Sequence, residues 1–149
     1  MAKTSINIVK LKENAIIPSY QTEQAAGMDL HACIDEPIVL GSLERVMIPT
    51  GFAIELPAGF EAQIRARSGM SIKYGITMVN GIGTVDADYR GEVGVLAINL
   101  SKEPFTIEPG MRVAQMVIAK YECIDWSQVG AISETDRGTG GYGSTGVNS

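Results

Sequence analysis

From Phe60 to Arg67 apolar and polar residues alternate without a break, as Phe-Glu-Ala-Gln-Ile-Arg-Ala-Arg. A period of two places every second side chain on one face, which suits a strand with one wet side and does not suit a helix. Phe52, Ile54 and Leu56 repeat the pattern, and Pro57-Ala58-Gly59 closes it as a turn. Val93 to Leu100 differs, because both of its faces are apolar: Val93, Val95 and Ala97 on one, Leu96, Ile98 and Leu100 on the other. Such a strand is expected between two layers, or in a core shared between subunits. In Arg112 to Cys123, Val113, Met116, Val117 and Tyr121 also fit a helical face, but Pro109-Gly110 before them and the β-branched content favour a strand. One segment reads as helix for local reasons: Ser68 as N-cap, Met70 to Tyr74 as body and Gly75 as stop. An antiparallel β-barrel or sandwich with one short helix follows.

The 149 residues suit one domain, and an apolar share of 45% is enough to bury a core. Twelve basic residues against 17 acidic ones give a net charge of −5. That balance argues against binding duplex nucleic acid through general basicity, yet a small anion needs only a few placed donors. Two cysteines, Cys33 and Cys123, do not make a disulfide scaffold, and a reducing compartment, the cytoplasm, is expected. No segment has the apolar length of a signal peptide or a membrane span. One histidine and no Cys-x-x-Cys leave no zinc site built from protein ligands. The composition shifts once, at Arg137 to Gly146, where five of ten residues are glycine. Such a segment loses much backbone entropy on ordering, so a flexible tail over 135–149 is expected behind a barrel domain over 1–134.

Several segments could carry chemistry. The tail contains Gly-x-Gly-x-x-Gly at Gly138, Gly140 and Gly143, but no strand–helix setting for a dinucleotide fold, and no Lys follows as in a phosphate-binding loop. What remains is a run of backbone N–H groups with Arg137, Ser144 and Thr145 that could wrap a polyphosphate, and Tyr142 that could stack on a base. Arg67-Ser68-Gly69-Met70-Ser71 joins a guanidinium to a helix start, a ready place for an anion, although the same residues also make an ordinary strand-to-helix turn. Asn80 to Gly91 is the densest patch. Asn80-Gly81 begins a tight hairpin, and Asp86, Asp88, Tyr89 and Arg90 follow, which as pure structure would be a charged surface loop. Asp86 and Tyr89 face opposite ways unless the chain turns between them. Asp29 lies among small and apolar residues, and its neighbour His31 lacks a nucleophile partner. Gln115 alone is a bland strand residue.

Together these segments resemble one family, the trimeric deoxyuridine triphosphatases, over nearly the whole chain. AAGMDLHA (25–32), RSGMS (67–71), NGIGTVDADYRGE (80–92), PGMRVAQ (109–115) and RGTGGYGSTG (137–146) are similar to its five motifs, in its order. Val85 stands where the family usually has Ile, and Tyr142 where it usually has Phe.

The resemblance implies an antiparallel jelly-roll-like barrel and hydrolysis of dUTP to dUMP and pyrophosphate by water attacking the α-phosphorus, which limits uracil in DNA and supplies dUMP. It implies that Asp86 activates the water and Gln115 helps to position it. Arg67, Ser68, Gly69, Gln115, Arg137, Gly143 and Ser144 would hold phosphates. Asn80 and Gly83 would read uracil, Tyr89 would pack on the sugar and Tyr142 on the base. It further implies Mg²⁺ held mainly by the triphosphate, with Asp29 acting on it through water, and a homotrimer with shared sites. No nucleic-acid or membrane partner is implied. A related dCTP deaminase would need a glutamate in the strand after the third motif, and Val93 to Leu100 has no carboxylate. A non-catalytic nucleotide-binding module would be marked by loss of Asp86 or of the tail, and both are present.

Overall fold

The computed structural model describes residues 3–147, so residues 148 and 149 of the expected tail lie outside the described residues. The strands are β1 (Asn7–Lys10), β2 (Met28–His31), β3 (Ile38–Leu40), β4 (Arg45–Glu55), β5 (Phe60–Arg65), β6 (Ile76–Met78), β7 (Gly83–Val85), β8 (Glu92–Asn99), β9 (Phe105–Ile107) and β10 (Arg112–Lys120); the one helix, α1, spans Ser68–Tyr74. They form two four-stranded antiparallel sheets, β1-β4-β8-β6 and β2-β10-β5-β7, and a β3-β9 ribbon. Neighbours in each sheet come from distant parts of the chain, the mark of a jelly-roll-like all-β fold. Phe52, Leu30, Ile48, Ile76, Ile107, Val93, Val95 and Val113 are fully buried between the layers.

The period-two reading holds in β5, where Ala62 and Ile64 are buried. Its wet face carries a ladder: Gln63 Nε2 donates to Glu61 Oε1 at 2.6 Å, and Arg65 Nε to Gln63 Oε1 at 3.1 Å. β4 departs from the pattern. Phe52 and Ile54 are buried as expected, but so is Ala53. A bulge between Pro49 and Ala53 puts Gly51 at φ +75°, where a Cβ would meet Cys33 Sγ at 2.6 Å and Ala15 Cβ at 2.8 Å. The outer side of β4 is therefore covered at that point by the segment carrying Ala15 and by Cys33. In β8, Val93, Val95 and Ala97 point inward, while Leu96 and, just past the strand, Leu100 stay exposed at 37% and 58%. β10 is a strand, as its β-branched content suggests, but ends at Lys120 and not at Cys123.

Two local readings need correction. The N-cap of α1 is Arg67, in extended conformation, and Ser68 is already the first helical residue; no side chain caps the start. Gly75 does end the helix, in left-handed conformation, with its N–H on Ser71 O at 3.0 Å. Asn80-Gly81 makes a turn but not a β-hairpin, because β6 pairs with β8 and β7 with β5. The two strands it joins belong to different sheets, so the turn carries the chain across the barrel.

Asn99, a polar residue in an apolar run, is fully buried. Its Nδ2 donates to Leu40 O at 2.9 Å and Glu103 O at 2.8 Å, and its Oδ1 accepts from Ser101 N at 2.9 Å. It thereby ties the end of β8 to the β3–β9 ribbon. Asn99→Ala strands these partners and is expected to lower stability by about 3 kcal/mol. Urea unfolding at fixed protein concentration measures it; a loss within the scatter of surface substitutions would contradict this role.

Candidate functional site

Central strand β10 is bonded on both sides, and its register sets Asp29 of β2, Gln115 of β10 and Arg65 of β5 abreast. Residues abreast in antiparallel strands share a face. Leu30 and Ile64 point into the core, so Asp29, Gln115 and Arg65 share the outer face. Past Arg65 the chain turns into α1, and Arg67 reaches back to Asp29, Nε on Oδ1 at 3.0 Å. Arg67 Nη1 donates to Arg112 O at 3.2 Å, and Arg112 Nη1 stands 3.6 Å from Asp29 Oδ2. Asp29, with a side chain only 16% exposed, thus lies between two guanidiniums. Gln115 Nε2 donates to Ala66 O at 2.9 Å and pins the approach to the helix. Its Oε1 packs so tightly on Gly27 that a Cβ there would lie 2.5 Å away. Ser68 and Gly69 are exposed at the uncapped helix start, and a Cβ on Gly69 would meet nothing within 4 Å. Free backbone N–H groups beside a fixed guanidinium form a place for an anionic group.

His31 lies on the same face, opposite Arg112. Its Nδ1 is buried without a hydrogen-bond partner among the described residues. Burial first, and the Arg112 charge second, push its pKa below the ordinary 6.5; Asp29 pulls the other way. The ring is half-buried, its Nδ1 is enclosed, and no nucleophile stands within its hydrogen bonds, so the arrangement fits packing.

Asp86, Tyr89 and Asn80 form a second group. Asp86 follows β7 and is exposed; the chain then turns, Tyr89 N–H donating to Asp86 O at 3.2 Å, so the strand alternation no longer separates the two. Tyr89 Oη donates to Glu92 O at 3.0 Å. Gly83 is buried against β5, where a Cβ would lie 3.1 Å from Ile64 Cβ and 3.4 Å from Asn80 Nδ2. The two groups do not meet within one chain. Val85 is level with Ala62, and Gln115 with Arg65, two strands away from β7. Four residues along and two strands across put Asp86 about 16 Å from Gln115. The tail stands apart as well. Its hydrogen bonds among the described residues run within it, as Arg137 Nε to Gly140 O at 2.8 Å and Ser144 N to Gly141 O at 3.1 Å. Tyr142 and Gly143 have positive φ, and Tyr142 is fully exposed.

The chain matches the dUTPase family model over residues 13–146. It is 55% identical over 148 residues to the deoxyuridine 5'-triphosphate nucleotidohydrolases of Rickettsia felis and Rickettsia conorii, covering 99% of this chain and 100% of each of theirs. The chain belongs to the dUTPase family. Among solved structures it is similar to the Staphylococcus bacteriophage 80alpha dUTPase with dUpNHpp, at a TM-score of 0.85 and 27% identity, covering 97% of this chain and all of that one. A variant dUTPase of the S. aureus phage phi11, described with a structural Mg(II) ion, has a TM-score of 0.79 and 24% identity over 88% of this chain and 100% of its own.

The family motifs that the sequence displays therefore fall into two separated groups and a tail. Arg112 lies inside the fourth motif, and its place opposite His31 is visible only once β10 is paired with β2. Among the described residues no group of three or more His, Cys, Asp or Glu could hold a metal. The acid expected to serve a metal, Asp29, has both oxygens turned to guanidiniums. This donor set makes no cage.

A proton on His31 is disfavoured in the folded state, so between its lowered pKa and 6.5 the unfolded chain binds more protons. Stability from this group is present above 6.5 and falls as pH drops through that window. With a single histidine in the chain, proton NMR follows its ring signal without ambiguity. A midpoint at or above 6.5 would contradict the assigned environment.

Proposed function

We propose that this chain hydrolyses dUTP to dUMP and pyrophosphate with a site completed by another copy of itself. Membership of the dUTPase family carries the activity. The assignment of residues rests on one observation above others: Arg67, fixed by Asp29, beside the uncapped start of α1. Arg67 and the N–H groups of Ser68 and Gly69 take phosphate oxygens, and Gln115 holds the strand that presents them. Asp86 accepts the proton of the water that attacks the α-phosphorus, a role worth roughly 10²–10⁴ in rate. The Asn80 turn and the backbone at Gly83 read uracil by hydrogen bonds that cytosine would leave unpaired, and Tyr89 closes the space beside C2′. Asp29 is the acid that would act on a Mg²⁺ through water, and such an ion would supply charge neutralisation at the phosphates.

The 16 Å gap supports sharing of the site between copies, and we take the assembly to be a homotrimer. The outer apolar residues Leu96 and Leu100, and the arm after β10 with Trp126 at 91% and Ile132 at 88% exposure, are the kind of surface that assembly covers. Among the described residues no helix is long and apolar enough to cross a membrane, and both cysteines are free. We assign the protein to the cytoplasm.

Asp86→Asn is expected to keep dUTP binding and lose two or more orders of magnitude in kcat, about the general-base range. Steady-state kinetics and binding of a non-hydrolysable analogue measure the two separately; near-normal kcat would move the role to another group. Mixing inactive Asp86→Asn chains with inactive Arg67→Ala chains, then exchanging subunits, tests the sharing. Recovered turnover is expected, and none would place the whole site in one chain.

We further propose that the tail is a mobile cover, with Arg137, Tyr142, Gly143 and Ser144 meeting the bound triphosphate and base. Truncation after Glu134 is expected to leave melting temperature and oligomer mass nearly unchanged while activity falls steeply. In the full chain, cleavage by trypsin at Arg137 is suppressed by a non-hydrolysable dUTP analogue with Mg²⁺ and much less by dUMP. Equal protection by both ligands, or full activity without the tail, removes it from the mechanism.

A further inference from the structure

We propose that Arg112 is a positioning residue for the triphosphate: it shares the Asp29 carboxylate with Arg67 and so keeps Arg67 both fixed and under-neutralised. The inference rests on the reading that Arg67 takes phosphate oxygens. Three observations carry it. Register first: counted back from the Gln115–Asp29 pair without interruption, Arg112 would sit opposite Ala32 and point inward. A bulge between Arg112 and Ala114 instead buries Val113 and Ala114 consecutively and sets Arg112 opposite His31, on the face of Asp29. Bulges re-aim side chains in this way, at the cost of a broken ladder. The second observation is connectivity. Arg67 is held at two points, Nε on Asp29 Oδ1 and Nη1 on the backbone oxygen of Arg112. Its Nη2 has no protein acceptor among the described residues, and it is the corner left for a ligand.

Charge is the third. One carboxylate faces two guanidiniums, so the group keeps a surplus of one positive charge. Without Arg112, Asp29 would neutralise Arg67 alone and both its oxygens could turn to that one partner. A guanidinium closed in a private pair offers less to a polyphosphate.

The test uses the full-length protein, with inorganic tripolyphosphate and deoxyuridine as competitive inhibitors of dUTP hydrolysis. Arg112→Ala is expected to raise KM for dUTP and Ki for tripolyphosphate about fivefold, as for loss of a partly exposed ion pair. Ki for deoxyuridine and kcat stay within about twofold. Arg112→Lys restores part of the affinity, and Arg112→Gln, uncharged but longer than alanine, covers the case in which alanine unfolds the bulge. In an Asp29→Asn background the Arg112 substitutions lose their effect, because the carboxylate through which they act is gone. Equal weakening of tripolyphosphate and deoxyuridine, an undiminished effect in that background, or no effect at all overturns the assignment. Arg67→Ala is measured alongside. If it leaves tripolyphosphate binding intact, the phosphate reading of Arg67 fails; if it weakens binding while the Arg112 variants do not, the Arg112 assignment alone fails.

Discussion

The register of β10 is the constraint from which the rest of this molecule follows. That strand is bonded to β2 on one side and β5 on the other, segments some 86 and 50 residues earlier at the paired positions Asp29 and Arg65. A slip of one residue would turn Val113, Ala114 and Met116 outward and Gln115 inward, so the buried face fixes the pairing strongly. The same register delivers Asp29, Gln115 and the approach to Arg67 to one place. Core packing and the polar cluster are thus two consequences of one alignment.

Much of this was legible in the chain. The period-two runs predicted β5 and the inner face of β8, and Gly75 predicted where α1 stops. Five short motifs identified the chemistry, because spacing of glycines, acids and Arg is a local property. What could not be read depends on pairing between distant segments. Nothing local says that β6 and β7 go to different sheets, so Asn80-Gly81 reads as a hairpin from sequence alone. Nothing local says that Ala15 and Cys33 close on β4 at Gly51. The hydroxyl of Ser68 suits a cap, whereas the extended Arg67 occupies that position. Arg112 carries no local signal of its place, because its partner, Asp29, lies 83 residues earlier in the chain.

The two separated groups also explain why the outer surface is built as it is. A sheet with one wet face needs polar residues along it, and β5 supplies the Glu61-Gln63-Arg65 ladder. Sheet β1-β4-β8-β6 instead presents Leu96 and, beside it, Met47 on its outer side. An apolar face left open in the single chain is a surface for another chain. In the proposed shared site, assembly is a condition of catalysis, since Asp86 and Gln115 lie two strands apart inside one sheet.

Electrostatics sets the last condition. The chain carries a net charge of −5, so at long range it repels a polyphosphate. At physiological salt that repulsion is screened beyond about 8 Å, and only the local arrangement counts. There the balance is reversed. Arg67 and Arg112 outnumber Asp29, and the open N–H groups of α1 add partial positive charge. A second carboxylate at this point would cancel the surplus, and Asp86, the acid proposed to activate water, lies apart from it on a separate strand end. Distance within the chain keeps the Asp86 carboxylate and the Arg67–Arg112 cluster from neutralising each other, and in the proposed shared site a substrate between them would supply the intervening negative charge.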